Sequence, residues 1–467
     1  MNLLKNFLSL VLAEGFSKLI TFAAFAYLAR QLGAETFGYV EFAAAVLMCA
    51  SLIVDQGFSA FGAKEIAKSP ELTGRLATKI VTARLLLALS GYLVVAVFAL
   101  LVDRGPVVMR LLLVYGLSLW ALPLLLQWVF QGHERMQLVA SAQIIRQVVF
   151  CAVVFAMVRG AQDVLWVAWA EVAGVVATAT FCVVVYRRYF QKETPQQASS
   201  SIRLFREGLP IGLSQMFWVI KMFGGTLILG LIASSQEVAF FAGAQRILIA
   251  LHTFVWLYYF NLLPSLARSW QEGTEEFRSL IARSMQVMVW VGVAGGLAWA
   301  ALSQQAIQFV YGTEFGPAGT VLALFAAVWS MALISGHYRF GLIAAGQANA
   351  EMATAAIGAV LALIIIPLGY YNAGITGAAV GLVIAEAGIW VSSWWFAQKL
   401  LFLKGNSRHL RLPLFALLLV VATIWLLPLS AQNARLAVLM LLPAILALVL
   451  DHTARIRVRQ LLGLLRI

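Results

Sequence analysis

Long apolar runs separated by short polar stretches recur along the whole chain. They begin near Leu8, Phe37, Ile80, Val107, Leu138, Val164, Leu209, Phe240, Met285, Val321, Met352, Thr376, Leu412 and Leu436, and the last is the shortest. A helix crosses the roughly 30 Å hydrocarbon layer with about 20 apolar residues, so the pattern predicts an all-α polytopic membrane protein of about 14 transmembrane helices. The connections are brief and leave no room for a soluble domain. The run from Leu8 is interrupted by Glu14 and Lys18 and is followed by no small-residue cleavage pattern, which predicts a first span and not a removed signal.

Charge orients the spans. One alternate set of gaps, together with the two ends, holds most of the cations, among them Lys64, Lys68, Arg75, Lys79, Arg187, Arg188, Arg268, Arg278, Arg339 and Lys399. The other set holds Arg30, Arg104, Arg110, Arg159 and Arg435. By the positive-inside rule the first set is cytoplasmic, which places both termini in the cytoplasm. A missed or extra helix would scramble every later gap, so the regular alternation itself supports the count.

Composition agrees with this class. Of 467 residues, 62% are hydrophobic and 11% charged, and the mean hydropathy is +0.90; no soluble core could bury that much apolar surface. The net charge of +13 would suggest a nucleic-acid partner in a soluble protein, but here it sits in the gaps and reports topology. Cys49, Cys151 and Cys182 lie within apolar runs with no paired spacing and read as packing residues. There is no phosphate-binding G-x-x-x-x-G-K-[ST] loop, no nucleophile elbow, and no metal-ligand spacing among the five histidines. No cofactor is expected.

The longest polar connection, around K-E-T-P-Q-Q-A-S-S-S, has a flexible composition. It predicts an N-terminal six-helix lobe at 1–190, a cytoplasmic linker at 191–207, a second six-helix lobe at 208–403, and two extra helices with a basic tail at 404–467. The lobes carry traces of a repeat. Setting Phe37–Ala45 against Val238–Arg246 places Lys18 on Val219, beside Lys221, and W-A-E-V-A-G around Glu171 matches I-A-E-A-G around Glu386.

Three motifs carry a family likeness. L-A-R-Q-L-G-A-E-T-F-G (Leu28 to Gly38), V-D-Q-G-F-S-A-F-G-A-K-E-I-A-K (Val54 to Lys68) and Y-G-T-E-F-G-P-A-G (Tyr311 to Gly319) resemble the Wzx-type polysaccharide-biosynthesis flippases. These belong to the multidrug/oligosaccharidyl-lipid/polysaccharide exporter superfamily, and the likeness runs from the first span through the twelfth. It implies two pseudo-symmetric lobes around a cavity lined by spans one, two, seven and eight, working by alternating access. It also implies a substrate, an undecaprenyl-pyrophosphate-linked oligosaccharide moved across a bacterial inner membrane for O-antigen, capsule or exopolysaccharide synthesis. Membrane lipids, a polysaccharide polymerase and chain-length proteins are the further partners it implies. Twelve spans are commoner among these flippases, and fourteen among their lipid II flippase relatives.

A charge at the bilayer centre costs about 2.5–3.5 kcal/mol on insertion scales, so such residues face water, a partner or a ligand. Lys18, Lys221 and Arg246 fall on the spans that the resemblance gives to the cavity, where they are expected to bind pyrophosphate. Glu14, Glu41, Glu171 and Glu386 are expected to tune those cations or to couple transport to an ion. Structural readings stand beside these. Glu14 and Lys18 are spaced to neutralise each other; Arg246 could cap a helix or meet Asp55 or Glu41; Glu171 and Glu386 could each bond a neighbouring helix. Arg146 is near enough to one end of its span to snorkel to the surface. The group His252, Trp256, Tyr258, Tyr259 and Asn261 reads as a sugar- or isoprenoid-stacking surface or as an interfacial belt. The stretch Asp55 to Lys79 reads as an amphipathic segment on the cytoplasmic surface, or as a solvated loop helix.

Two other classes compete. A cation-coupled drug exporter would rely on cavity carboxylates such as Glu41 and Asp55 more than on cations. A membrane polymerase or glycosyltransferase would need catalytic groups in sizeable external loops, and the largest of these, Ser303 to Thr320, offers Glu314 alone among acidic residues. The expectation is therefore a transporter and not an enzyme.

Overall fold

The computed structural model describes residues 2–190 and 201–403, with side chains from 20 to 190 and, apart from 214 and 215, from 213 to 403. The helices are α1 (Asn2–Asp55), α2 (Phe58–Lys68), α3 (Thr73–Leu101), α4 (Gly105–Leu117), α5 (Gln127–Gly132), α6 (Met136–Met157), α7 (Leu165–Tyr189), α8 (Ser201–Ile232), α9 (Ser235–Glu272), α10 (Thr274–Tyr311), α11 (Ala318–Ala344) and α12 (Ala348–Leu400). Among the described residues there is no strand. The spans expected from Leu412 and Leu436 lie outside the described residues.

Nine helical runs among the described residues are long and apolar enough to cross a membrane, and a shorter apolar helix covers Met216–Ile232. Two of the nine are each broken. In α1 the break is Gly33, at φ 70° and ψ 168°, a left-handed backbone that glycine enters without a Cβ clash. In α12 it is Ala373 and Gly374. Both breaks sit just before the starts expected near Phe37 and Thr376, so the multi-pass helical architecture follows the apolar pattern closely.

One expected span is not a plain helix. The run from Val107 is helical to Leu117, passes through two single 3-10 turns around Pro123, and resumes as the short α5. Pro123 has no N–H to donate to a helical ladder, which accounts for the interruption.

The chain divides into two compact units, with the boundary between Ala242 and Gly243. Within the first, the segments at one end meet one another. Tyr27 Oη donates to the Val158 carbonyl at 2.7 Å, and Arg104 Nη1 donates to the Ala233 carbonyl at 2.7 Å. At the other end, Thr73 Oγ1 lies 2.8 Å from His133 Nε2, and the His133 ring is 4.7 Å from that of Phe190. The gap holding Arg104 and the gap holding Arg75 and Lys79 thus lie at opposite ends of this unit, as the charge alternation requires.

The segment after Asp55 is not a surface helix with a lipid-facing side. Phe58, Phe61 and Ile66 of α2 are buried in a core with Ile80, Trp128, Val129, Phe130 and Cys182. Gly62 makes this possible, since a Cβ there would stand 2.4 Å from the Trp128 ring. The amphipathic pattern was genuine, but protein, through α5, covers its apolar face.

In the second unit, the Tyr311 hydroxyl donates to the Gly243 carbonyl at 3.1 Å at one end. At the other end, Arg339 Nε donates to Glu351 Oε1 at 3.1 Å, and Arg278 donates to the Phe402 carbonyl. Between them, Phe277, Ile281, Met285, Tyr338 and Leu342 form a buried core.

Candidate functional site

Helix α8 runs antiparallel to the second half of α1. A Cβ on Gly38 would overlap the Ser235 carbonyl oxygen, and one on Gly230 would overlap the Phe42 ring. Lys221 lies further along α8, away from these contacts. Lys221 is 4% exposed and Glu41, on the same helix pair, 5%. A lysine and a glutamate so placed, inside helices otherwise suited to lipid, are costly unless a partner or ligand compensates them.

Sequence reasoning missed a further buried charge in this unit. Arg84 of α3 is 4% exposed, and its Nη2 lies 3.3 Å from Asp55 Oδ1. Ser59 at the start of α2 donates its hydroxyl to the same oxygen at 2.6 Å. The available signal was a lone arginine, T-A-R-L-L-L, five residues into an apolar run. Asp55 accordingly meets Arg84, the partner that the structure gives it, where the sequence offered Arg246.

Glu14 and Lys18 lie on the N-terminal part of α1, and their side chains fall outside the described residues. Arg246 is half-buried on α9, beside the buried Gln245, and belongs to the second unit. Glu386, on the second half of α12, is fully buried.

Glu171 of α7 forms an ion pair with Arg146 of α6. Arg146 therefore turns toward a carboxylate on the neighbouring helix instead of snorkelling alone, because a paired charge inside the span costs less than a bare one.

The aromatic group on α9 divides by face. Tyr259 is fully buried, and its hydroxyl lies 2.7 Å from His337 Nδ1; its ring stacks on Phe340 at 4.9 Å between centroids. Trp256 and Phe260 are exposed and pair edge to face at 5.7 Å. Core packing thus takes Tyr259, while the exposed pair keeps a surface available for lipid. Among the described residues no group of three or more His, Cys, Asp or Glu could hold a metal ion.

Solved structures share this fold. The chain matches lipid II flippase MurJ in an inward closed conformation with a TM-score of 0.71 at 12% identity, over 94% of this chain and 98% of that one. It matches an inward-facing multidrug resistance MATE transporter of the MOP superfamily with a TM-score of 0.69 at 16% identity, over 84% and 96%.

Sequence comparison is more specific. Residues 3–270 match the family described as "Polysaccharide biosynthesis protein", and the chain belongs to that family. Two relatives, each named "Putative O-antigen transporter", share 24% identity over 253 residues in Shigella dysenteriae and 23% over 266 residues in Escherichia coli K12. Those alignments take in 53% and 54% of this chain, and 63% and 61% of the relatives, less than two thirds of their length.

Proposed function

We propose that this protein is a flippase that carries undecaprenyl-pyrophosphate-linked oligosaccharide units from the cytoplasmic to the periplasmic leaflet of a bacterial inner membrane. The observation that carries this reading is the family match over residues 3–270, which contains Lys18, Lys221 and Arg246. A pyrophosphate bears up to about three negative charges, and ammonium and guanidinium donors recognise it through charge-assisted hydrogen bonds. The relatives' names point to the same substrate class.

In this reading the sugar and lipid are handled by shape and apolar surface, and the phosphates by the three cations. Glu14, Glu41 and Glu386 are the proposed tuning or coupling carboxylates, whereas Glu171, held by Arg146, would act through that pair. The polar connection 191–207 separates the two sequence repeats, although α8 beyond it packs within the first compact unit; both termini face the cytoplasm, and alternating access moves the site between leaflets. A polymerase and chain-length proteins would use the product on the far side.

Deleting the gene should stop surface polysaccharide while lipid-linked repeat units accumulate, protected from externally added glycosidase. Normal polysaccharide in the deletion strain, with no such accumulation, would refute the proposal.

A further inference from the structure

The guanidinium of Arg84 is held with donors to spare. Its ion pair with Asp55 is a single Nη2 contact of 3.3 Å, with the Arg84 side chain 5% exposed. A charge-assisted N–H to carboxylate bond is usually about 2.7–2.9 Å, and arginine commonly grips a carboxylate with two parallel bonds. Here Nη1 reaches the Ser59 hydroxyl at 3.4 Å, and Nε is buried with no hydrogen-bond partner. A planar fork suited to a dianionic oxygen cluster is thus met by one carboxylate oxygen and one hydroxyl, both at long range.

Asp55 is the accessible side of the pair, at 23% exposure. It is also the last residue of α1, where the negative end of the helix works against a carboxylate. Gln56 and Gly57 follow it with φ of 44° and 82°, so the carboxylate sits where the chain turns sharply from α1 into α2. Ser59 gives Asp55 a second and shorter hydrogen bond, through the hydroxyl that Arg84 Nη1 also approaches. Lys221, on α8 of the same compact unit, is a second buried cation.

We propose that Arg84 is a further phosphate-binding residue, and that Asp55 is its resident counter-anion, displaced when the substrate's pyrophosphate loads. The proposal rests on the flippase reading and deepens it. Phosphate oxygens take over the Arg84 fork, including the donors Asp55 leaves unused, and Asp55 stays on Ser59 at the α1–α2 turn. When the phosphate departs, Asp55 returns and the arginine is never left bare. No bond is made or broken.

The test is binding of farnesyl pyrophosphate to the full chain in lipid nanodiscs, with inorganic pyrophosphate as competitor. Asp55→Asn keeps the Ser59 hydrogen bond and removes the competing charge, so it should bind roughly tenfold tighter, the scale of one charge-assisted hydrogen bond. Arg84→Lys keeps the charge and loses the fork, and should bind roughly tenfold weaker. The double variant should lose the gain of Asp55→Asn. Arg84→Ala is avoided because it leaves Asp55 in the bundle without its ion-pair partner. Wild-type binding that is unchanged or weakened in Asp55→Asn would overturn the inference alone. A wild type that binds neither pyrophosphate would overturn it together with the pyrophosphate reading of the function.

Discussion

Gly369 and Gly377 meet backbone to backbone across the break in α12: a Cβ on the first would stand 2.1 Å from the carbonyl oxygen of the second, and the reverse distance is 2.0 Å. Gly358 lies against the Ile389 side chain and Gly381 against the Ile366 backbone. The two halves of α12 therefore form a tight antiparallel hairpin, in which small residues allow the close approach that holds membrane helices together.

Gly377→Ala should therefore destabilise the protein by about 1–3 kcal/mol, the usual cost of forcing a methyl into a packed contact. The thermal midpoint of the detergent-solubilised protein checks this. It should fall for Gly377→Ala and stay near wild type for Ile364→Ala, an exposed position on the same helix.

The ion pair between Arg146 and Glu171 makes a second prediction. Glu171→Ala leaves a lone cation inside the span, at a cost of up to about 2.5–3.5 kcal/mol, and should lower the amount of protein in the membrane. Arg146→Leu combined with Glu171→Leu should restore that amount. Transport by the double variant, measured per molecule, then decides the role of Glu171: retained transport means that the carboxylate serves the fold, and lost transport means that it serves the cycle.

How far such features were legible depends on what the chain pattern encodes. Runs of apolar residues reported the helices, and the separate starts near Phe37 and Thr376 anticipated the breaks at Gly33 and Gly374, because insertion into lipid has a local signature. Partners do not. The sequence showed Arg146 and Glu171 as separate buried charges and showed Arg84 not at all as a candidate, although each pairs across to another helix. Likewise the polar and apolar faces of α2 were plain, but nothing local revealed that Trp128, some sixty residues on, covers the apolar one.

That contact is itself open to test. Gly62→Leu would drive a side chain into the Trp128 ring and should release α2 from its core. Hydrogen exchange across residues 58–68 should quicken while α10 and α11, in the other unit, keep their protection. Equal exchange in variant and wild type would show that α2 does not depend on this packing.

The central claim is that buried cations bind the phosphates of a lipid-linked oligosaccharide, and of Lys221 and Arg246 it is Lys221, at 4% exposure, that is buried. The direct measurement is translocation of a short undecaprenyl-pyrophosphate oligosaccharide in proteoliposomes, by wild type, Lys221→Met and Lys221→Arg at matched protein amounts. The account predicts transport by the wild type, a loss of at least roughly tenfold in Lys221→Met, the scale of one charge-assisted contact, and partial recovery in Lys221→Arg. Wild-type rates in Lys221→Met would contradict it.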